Sequence, residues 1–568
     1  MVGVLGLDPD EQTREAGGEP DPPLRRRSPS ELALRIAVHL AGAVVFPVAV
    51  VADLLHSWKP TGDDAVISLR AWQVLSTHPP LVGQYSQVSN LGVHNVYDPG
   101  PLLYWLLAVP VRLDPDHGVL WGSALLCMAG VALAVEAAWA FRGWPAALAV
   151  AAAVLVLVST QDFVVINPVW NPSNGTVWFI TLCAVALVVA SGRLRWWPVQ
   201  VLAASFVAQA HLEFAVTAVV LVVVAPVVGF LQSAPPTPGT PAPRPTRPRR
   251  RTWMAAGLGV GLLCWIAPLI QEVTGRPGNL TVLLGRIGPR PTYGIKFGFQ
   301  ALASVAGTHP LWASRQDQGR PVDSFLGLLG RITDHSELSG IVILAALALV
   351  VAGSWLLGRR DLAVASTVAL VVSTVAVWTF SAVPQSEILT IVYTDIVLWP
   401  VGLFVWLVWI WTAGEVLRTA VAALRRPRPS EGRTGPAAGA VRWVVVAGLV
   451  LSATAASVLA VDTVPRPHLG VLGGWTSVDL VDRATAAAER SAPRGPVTII
   501  VQGSDADVDF AVLFGVIWQL ERQGRDVSGN LTLWEILGPG QVPRVGETKL
   551  VLQLGTDGAV LVSRSRVT

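Results

Sequence analysis

The stretch "PGPLLYWLLAVPVRL" (99–113) decides how the chain is laid out. It is apolar, yet shorter than the roughly 20 residues a membrane crossing needs, and prolines bracket it. Tyr104 and Trp105 suit a membrane–water interface. The expected structure is an amphipathic helix lying on the outer surface of a bilayer. If it crosses instead, another boundary must shift, first of all the split at His211–Glu213.

A bilayer is the expected surroundings because of composition. The chain has 568 residues, too many for one ordinary domain, and only 14% are charged while 52% are hydrophobic. Mean hydropathy is +0.54. Few soluble folds bury that much apolar surface, so the chain reads as a polytopic membrane protein with the lipid bilayer, and not nucleic acid, as its partner. The net charge of +3 says little, because the arginines are clustered. Cys127, Cys183 and Cys264 all lie in apolar runs and read as packing residues rather than a disulfide framework or metal cage. The first apolar run follows "RRRSPSE" with no small-residue cleavage site and is expected to stay as an anchor.

Apolar runs of bilayer length occur near 33–55, 118–141, 145–160, 175–191, 198–212, 214–231, 253–270, 339–357, 361–381, 390–413 and 441–461. Positive loops face the cytoplasm. With "RRR" (25–27), Arg142, "GRLR" (192–195), "RPTRPRRR" (244–251), "GRRD" (358–361) and the Arg-rich 418–442 all inside, about eleven spans result. The expected fold is mainly α. A disordered cytoplasmic tail (1–32) precedes a multispan core (33–461) with outer loops 56–117 and 271–338, and a small soluble extracytoplasmic α/β domain (462–568) follows. The expected location is the plasma membrane, N-terminus inside. In the C-terminal part, "PVTIIVQG" (496–503), "KLVLQLG" (549–555) and "AVLVSR" (559–564) read as strands and 505–524 as a helix. Asp505, Asp507 and Asp509 alternate like a calcium loop but lack its Gly and Glu, so helix capping is the better reading.

The residues able to carry chemistry fall on the outer side. "TGDDAVISLR" (61–70) sets Asp63 and Asp64 in the first outer loop, with Arg70 nearly two turns on. The acids read either as a hydrated turn in which one Asp caps a helix from Ala65, or as a general base at a cavity mouth. Arg70 either pairs with them or holds an anionic group. "NLGVHNVYDPGPLLYW" (90–105) adds His94, Tyr97 and Asp98, although a proline-flanked turn accounts for "YDPGP" as well. "NPVWNPSNG" (167–175) supplies Asn171 and Asn174, which suit helix ends or sugar hydroxyls. "AQAHLEF" (208–214) places His211 and Glu213 in the shortest outer turn, as a satisfied buried pair or as cavity lining.

In its order of parts the chain resembles the GT-C superfamily of membrane glycosyltransferases: protein O-mannosyltransferases, the aminoarabinose transferase of lipid A and mycobacterial arabinofuranosyltransferases. "GDDA" stands where that family has an acidic motif in its first outer loop, "YDPGPLLYW" resembles its "PPLYYW"-like stretch, and "NPSNGTVWFITL" its later span opening. The resemblance covers about 60–460 in architecture and only short motifs in sequence. It implies that Asp63 is the catalytic Asp, with Asp64 where Glu is usual. The donor implied is a sugar on polyprenyl phosphate, and the acceptor a hydroxyl of a glycan, lipid or protein, attacked with inversion on the extracytoplasmic side. Arg70, Arg286, Arg290 and Lys296 are the candidates for the donor phosphate. Many relatives carry Asp where this chain offers Asn171 or Asn174, so no cofactor is fixed and a divalent cation stays open. A lipid or sugar transporter and a non-catalytic cell-envelope scaffold or sensor are the rival readings. Convergence of Asp63, Arg70, Asn171 and His211 on one outer cavity favours the enzyme.

Overall fold

The computed structural model describes residues 29–55, 57–86, 89, 94–160, 169–232, 247–285, 291–313, 329–385, 390–424, 476–529, 536, 541–555 and 558–567. Helices α1 (Pro29–Ala43) and α2 (Val45–Leu55) form one apolar run bent by 43°. The short α3 (Gly62–Gln73) comes next, and after an irregular stretch α4 (Leu102–Leu113). The core continues with α5 (Gly118–Arg142), α6 (Trp144–Thr160), α7 (Asn171–Ala190), α8 (Trp197–Ala210), α9 (Leu212–Gln232) and α10 (Arg247–Thr274). Short α11 (Asn279–Gly285) and α12 (Gly294–Ala306) precede α13 (Glu337–Leu356), α14 (Arg360–Ser381) and α15 (Thr390–Leu424).

Among the described residues, seven helices are long and apolar enough to span a bilayer, or eight if α1 and α2 count as one bent span. The count of about eleven read from the sequence also takes in the 17-residue α6 and the 14-residue α8. The 441–461 run and the linker 233–246 lie outside the described residues. α4 has 12 residues, and at 1.5 Å per residue it reaches roughly 18 Å, well short of a hydrocarbon core of about 30 Å. Its Trp105 stays exposed while Tyr104 is buried, the pattern of a helix lying along a boundary.

α7 is the centre of the bundle, with 94% of its apolar window buried against 17% for α13 at the periphery. Small and hydroxyl side chains let α7 approach α5 closely. Thr181 donates to the Gly130 carbonyl (2.8 Å) and Trp178 to the Leu126 carbonyl (3.1 Å). Such contacts replace the hydrophobic drive that lipid cannot supply. The two apolar runs around His211 are separate helices. His211 is extended (φ −158°, ψ 135°) and ends α8. Gln200 then donates to the Leu221 carbonyl (2.9 Å) and Trp197 to that of Val222 (3.3 Å), so α8 and α9 form an antiparallel hairpin. Glu136 of α5 pairs with Arg35 (3.2 Å) and His39 (3.4 Å) of α1.

The C-terminal unit comprises α16 (Thr476–Ser491), β1 (Val497–Gln502), α17 (Ala506–Arg522), β2 (Val527–Ser528), β3 (Thr548–Leu554) and β4 (Val560–Arg566). Its sheet runs β2-β1-β3-β4, with β1 parallel to β2 and β3, and β4 antiparallel to β3. Asp505 caps α17, accepting the Val508 N–H at 3.3 Å, which is the capping role read from its spacing. α17 packs directly on α3. Trp518 meets Trp72 edge-on at 5.8 Å, Arg522 pairs with Asp116, and Lys59 pairs with Asp482 at 2.6 Å.

The bundle therefore has two unlike ends. α3, the His211 turn, the start of α7 and the C-terminal unit share one end. Arg142, Arg193, Arg195, Arg359 and Arg360 sit where α5, α7 and α14 reach the other. The positive-inside rule gives the expectation that the arginine end faces the cytoplasm. His94 and Arg360 are both exposed, at opposite ends. With the parental chain as background control, an impermeant thiol reagent on intact cells should label His94→Cys and leave Arg360→Cys untouched. Equal labelling of the two would sink the layout.

Candidate active site

α3 begins earlier than the sequence suggested. Thr61 is its N-cap residue, its carbonyl accepting the N–H groups of Asp64 (3.0 Å) and Ala65 (3.3 Å), with no side-chain cap. Gly62 takes φ 51°, a left-handed value that favours glycine. Asp63 and Asp64 thus lie in the first turn and cap nothing from Ala65; the helix dipole favours negative charge there.

Asp63 is half-buried and held by two donors from distant parts of the chain. Gln84 Nε2 donates to Oδ1 (3.0 Å) and Trp170 Nε1 to Oδ2 (3.2 Å). Burial outweighs these bonds and pushes its pKa up to about 6. Asp64, half-buried beside it, is raised well above the usual carboxylate range by burial first, then by the charges of Asp63 and Asp53. No described group donates a hydrogen bond to its carboxylate.

Asp98 belongs to the same cluster. It is 4% exposed. Asn171 Nδ2 donates to its Oδ2 (3.3 Å) and the Leu212 N–H to its Oδ1 (2.9 Å). Burial raises its pKa well above the ordinary value, which the Leu212 N–H only partly opposes. Two bridges join Asp63 to Asp98. Trp170 serves one acid and the adjacent Asn171 the other; Gln84 donates to Asp63 while its own carbonyl accepts the Asp98 N–H (2.8 Å). The approach is close enough that a Cβ at Gly83 would come within 2.7 Å of the Asp98 Cβ.

Around this pair the other elements close. Tyr104 OH donates to Gln84 Oε1 (2.8 Å), and its ring lies 5.9 Å from the Arg70 guanidinium. Arg70 is buried and donates to Gln73 (3.0 Å); burial lowers its pKa, against the pull of Tyr104 and Tyr97. Asn279, from the second outer loop, clamps Tyr97, accepting its N–H and donating to its carbonyl, both at 3.0 Å. His211 packs edge-on against Phe214 (6.4 Å). Glu213 Oε2 is buried without a hydrogen-bond partner among the described residues, within the field of Asp98.

Of the sequence candidates, Asp63, Asp64, Arg70, Tyr97, Asp98, Asn171, His211 and Glu213 gather at this end. Asn174 faces Cys127 of α5 (3.4 Å), inside the helix packing. His94 and Lys296 are exposed. Arg286 and Arg290 lie outside the described residues. Gln84, Trp170 and Asn279 were not singled out in the sequence; only Trp170, between two Asn-Pro pairs, sat in a stretch that drew notice. For a divalent cation the fit is poor. Both Asp63 oxygens already accept N–H groups, and among the described residues no three His, Cys, Asp or Glu side chains converge as ligands. The residues as arranged do not form a cation site.

Fold and site define a multi-pass membrane protein with an acidic cluster at one membrane boundary, covered by a soluble α/β unit. No family model matches the chain, and no curated protein matches it. Among solved structures it is similar to the archaeal oligosaccharyltransferase AglB from Archaeoglobus fulgidus in complex with an inhibitory peptide and a dolichol-phosphate, with 11% identity, TM-score 0.37, 94% of this chain covered and 74% of that one. The apo form of the oligosaccharyltransferase from the same organism gives 10% identity, TM-score 0.38, 94% and 74%. Similarity at this level assigns no residue.

The raised pKa has a readable consequence. The folded chain holds the Asp63 proton more tightly than an unfolded one, so its stabilising contribution is complete at low pH and is lost as pH climbs through about 6. A hydrophobic carbodiimide reacts with protonated carboxyl groups. Peptide mass spectrometry should find Asp63 modified at pH 5 and progressively less as pH rises past 6, while Asp64 and Asp98 stay reactive to higher pH. Asp63 reactivity already lost at pH 5 would contradict this.

Proposed function

We propose that the protein is a membrane glycosyltransferase that moves a sugar from a polyprenyl-phosphate donor to an acceptor hydroxyl, with Asp63 as general base. The observation that carries this reading is the carboxylate of Asp63, half-buried at the membrane boundary, fixed by two N–H donors and poised near pKa 6. A base of that strength is ionised at neutral pH and still takes a proton in a transition state. The motif resemblance around "GDDA" and "YDPGPLLYW" supports the same assignment.

The step balances simply. The acceptor hydroxyl gives its proton to Asp63 as its oxygen bonds to the anomeric carbon. The bond from that carbon to the phosphate oxygen breaks on the opposite face, inverting the centre and releasing polyprenyl phosphate. Arg70 offers charge to the leaving phosphate. Asp98, accepting from Asn171 Nδ2 and the Leu212 N–H, holds that side of the cavity. The lipid tail of the donor stays in the bilayer, which suits a site at the membrane edge. The acceptor is a glycan, lipid or protein hydroxyl, on the extracytoplasmic side if the arginine end is inside.

Asp63→Asn keeps the size of the side chain and cannot take a proton at neutral pH. Transfer from a panel of polyprenyl-phosphate sugars by purified full-length protein should fall by at least about 10²-fold. Arg70→Ala should raise the donor KM by about tenfold or more, with a smaller change in kcat, as expected for a lost charge-assisted contact. Each variant is compared at equal membrane abundance. Asp63→Asn protein with parental transfer, or a parental chain that consumes no donor in the panel, would leave the scaffold reading standing.

A further inference from the structure

At the end of the bundle opposite Asp63, two cavities share the side chain of Arg142. One, of about 280 Å³, is an apolar groove between membrane-spanning helices, lined by Ala146, Ala149, Ile180, Leu187, Leu403 and Phe404 among others. Its walls come from α5, α6, α7, α14 and α15, and it reaches the bundle surface at Ile410, which is exposed. The second, about 300 Å³, is walled by charge: Arg142, Arg359, Arg360, Asp361 and Glu415.

The charges there do not balance. Glu415 receives Arg142 (3.6 Å), Arg359 (3.8 Å) and Arg418, while Asp361 receives Arg142 at 3.2 Å. Counting Arg360, four arginines meet two carboxylates. Arg359 and Arg360 are exposed, and Arg142 lies over the Trp411 ring at 4.7 Å, on the wall common to both cavities. An apolar slot at hydrocarbon depth that opens into surplus positive charge is complementary to one kind of molecule, an acyl chain joined to an anionic head.

We propose that this is a binding site for an anionic phospholipid of the bilayer leaflet at the arginine end, with one acyl chain in the groove and the phosphate against Arg142, Arg359 and Arg360. The charged rim is separate from the acidic cluster: α5, 25 residues long, carries Arg142 roughly 36 Å from its Gly118 end. Its occupant is a resident lipid, held by charge at the rim and by apolar burial below.

Native mass spectrometry of the full chain, released from detergent with equal phosphatidylglycerol and phosphatidylcholine of the same acyl composition, tests this. The one-lipid adduct should favour phosphatidylglycerol by about tenfold, the scale set by two arginines near a headgroup. The Arg359→Gln/Arg360→Gln double variant should lose most of that preference. Ala149→Phe, which fills the groove, should reduce the adduct for both lipids. If the double variant is not monodisperse on size exclusion, Arg359→Gln alone is read the same way. Equal retention of the two lipids by the parental chain, or an adduct indifferent to Ala149→Phe, overturns the proposal.

Discussion

Gln84 is the side chain on which the acidic end depends. Its amide N–H holds Asp63, its side-chain carbonyl takes the Tyr104 hydroxyl, and its backbone carbonyl takes the Asp98 N–H. One residue thereby fixes α3, α4 and the loop between them. The physical need behind it is general: a carboxylate moved from water to a membrane boundary loses solvation that only donors can replace. Hydrogen bonds to charged groups are worth about 1.5–3 kcal/mol each. Two of them on Asp63 do not cancel the burial cost, which is why the carboxyl stays easy to protonate while its position is fixed.

Much of the architecture was legible because hydrophobic length and arginine placement act over long stretches. The short 99–113 helix, the break at His211 and the C-terminal strands follow from span length, a lone polar turn and alternation of apolar residues. The site was legible only where its acids are adjacent in sequence. Gln84 lies in an irregular segment with no periodicity to mark it, and Asn279 acts by meeting Tyr97 across 182 residues. Asn174 shows the opposite failure. The sequence offered it beside Asn171 for a helix end or a sugar hydroxyl, but three residues along α7 turn its side chain into the seam with α5. The helix start at Gly62 was missed because Gly and Asp in a row read as a turn, whereas the dipole welcomes both acids in a first turn.

The two ends of the bundle solve the problem of membrane charge differently. At the arginine end, charges remain near water and share partners around Glu415 and Glu136, with arginine in excess. Within the acidic cluster itself, Asp63, Asp64 and Asp98 are gathered without an ion pair among the described residues, and Arg70 is sheltered by Tyr104. Pairing at the first end lowers the cost of each charge. Gathering at the second leaves acids that gain by giving up charge, a property suited to proton transfer and costly for anything else.

The contact between α3 and α17 bears on how such a chain is made. Gln73, at the end of the helix that carries both Asp63 and Arg70, donates to Gln541 at 2.9 Å, a partner 468 residues downstream, and Gln541 in turn donates to Glu521. During synthesis the membrane helices can insert and pack long before that partner exists. The acid-bearing helix then waits for the cover of Trp518 on Trp72 until the α/β unit has been made and folded against it. Completion of the site is thus timed by the arrival of a distant segment, and a chain cut short ahead of it would sit in the membrane as a finished bundle with an unfinished mouth.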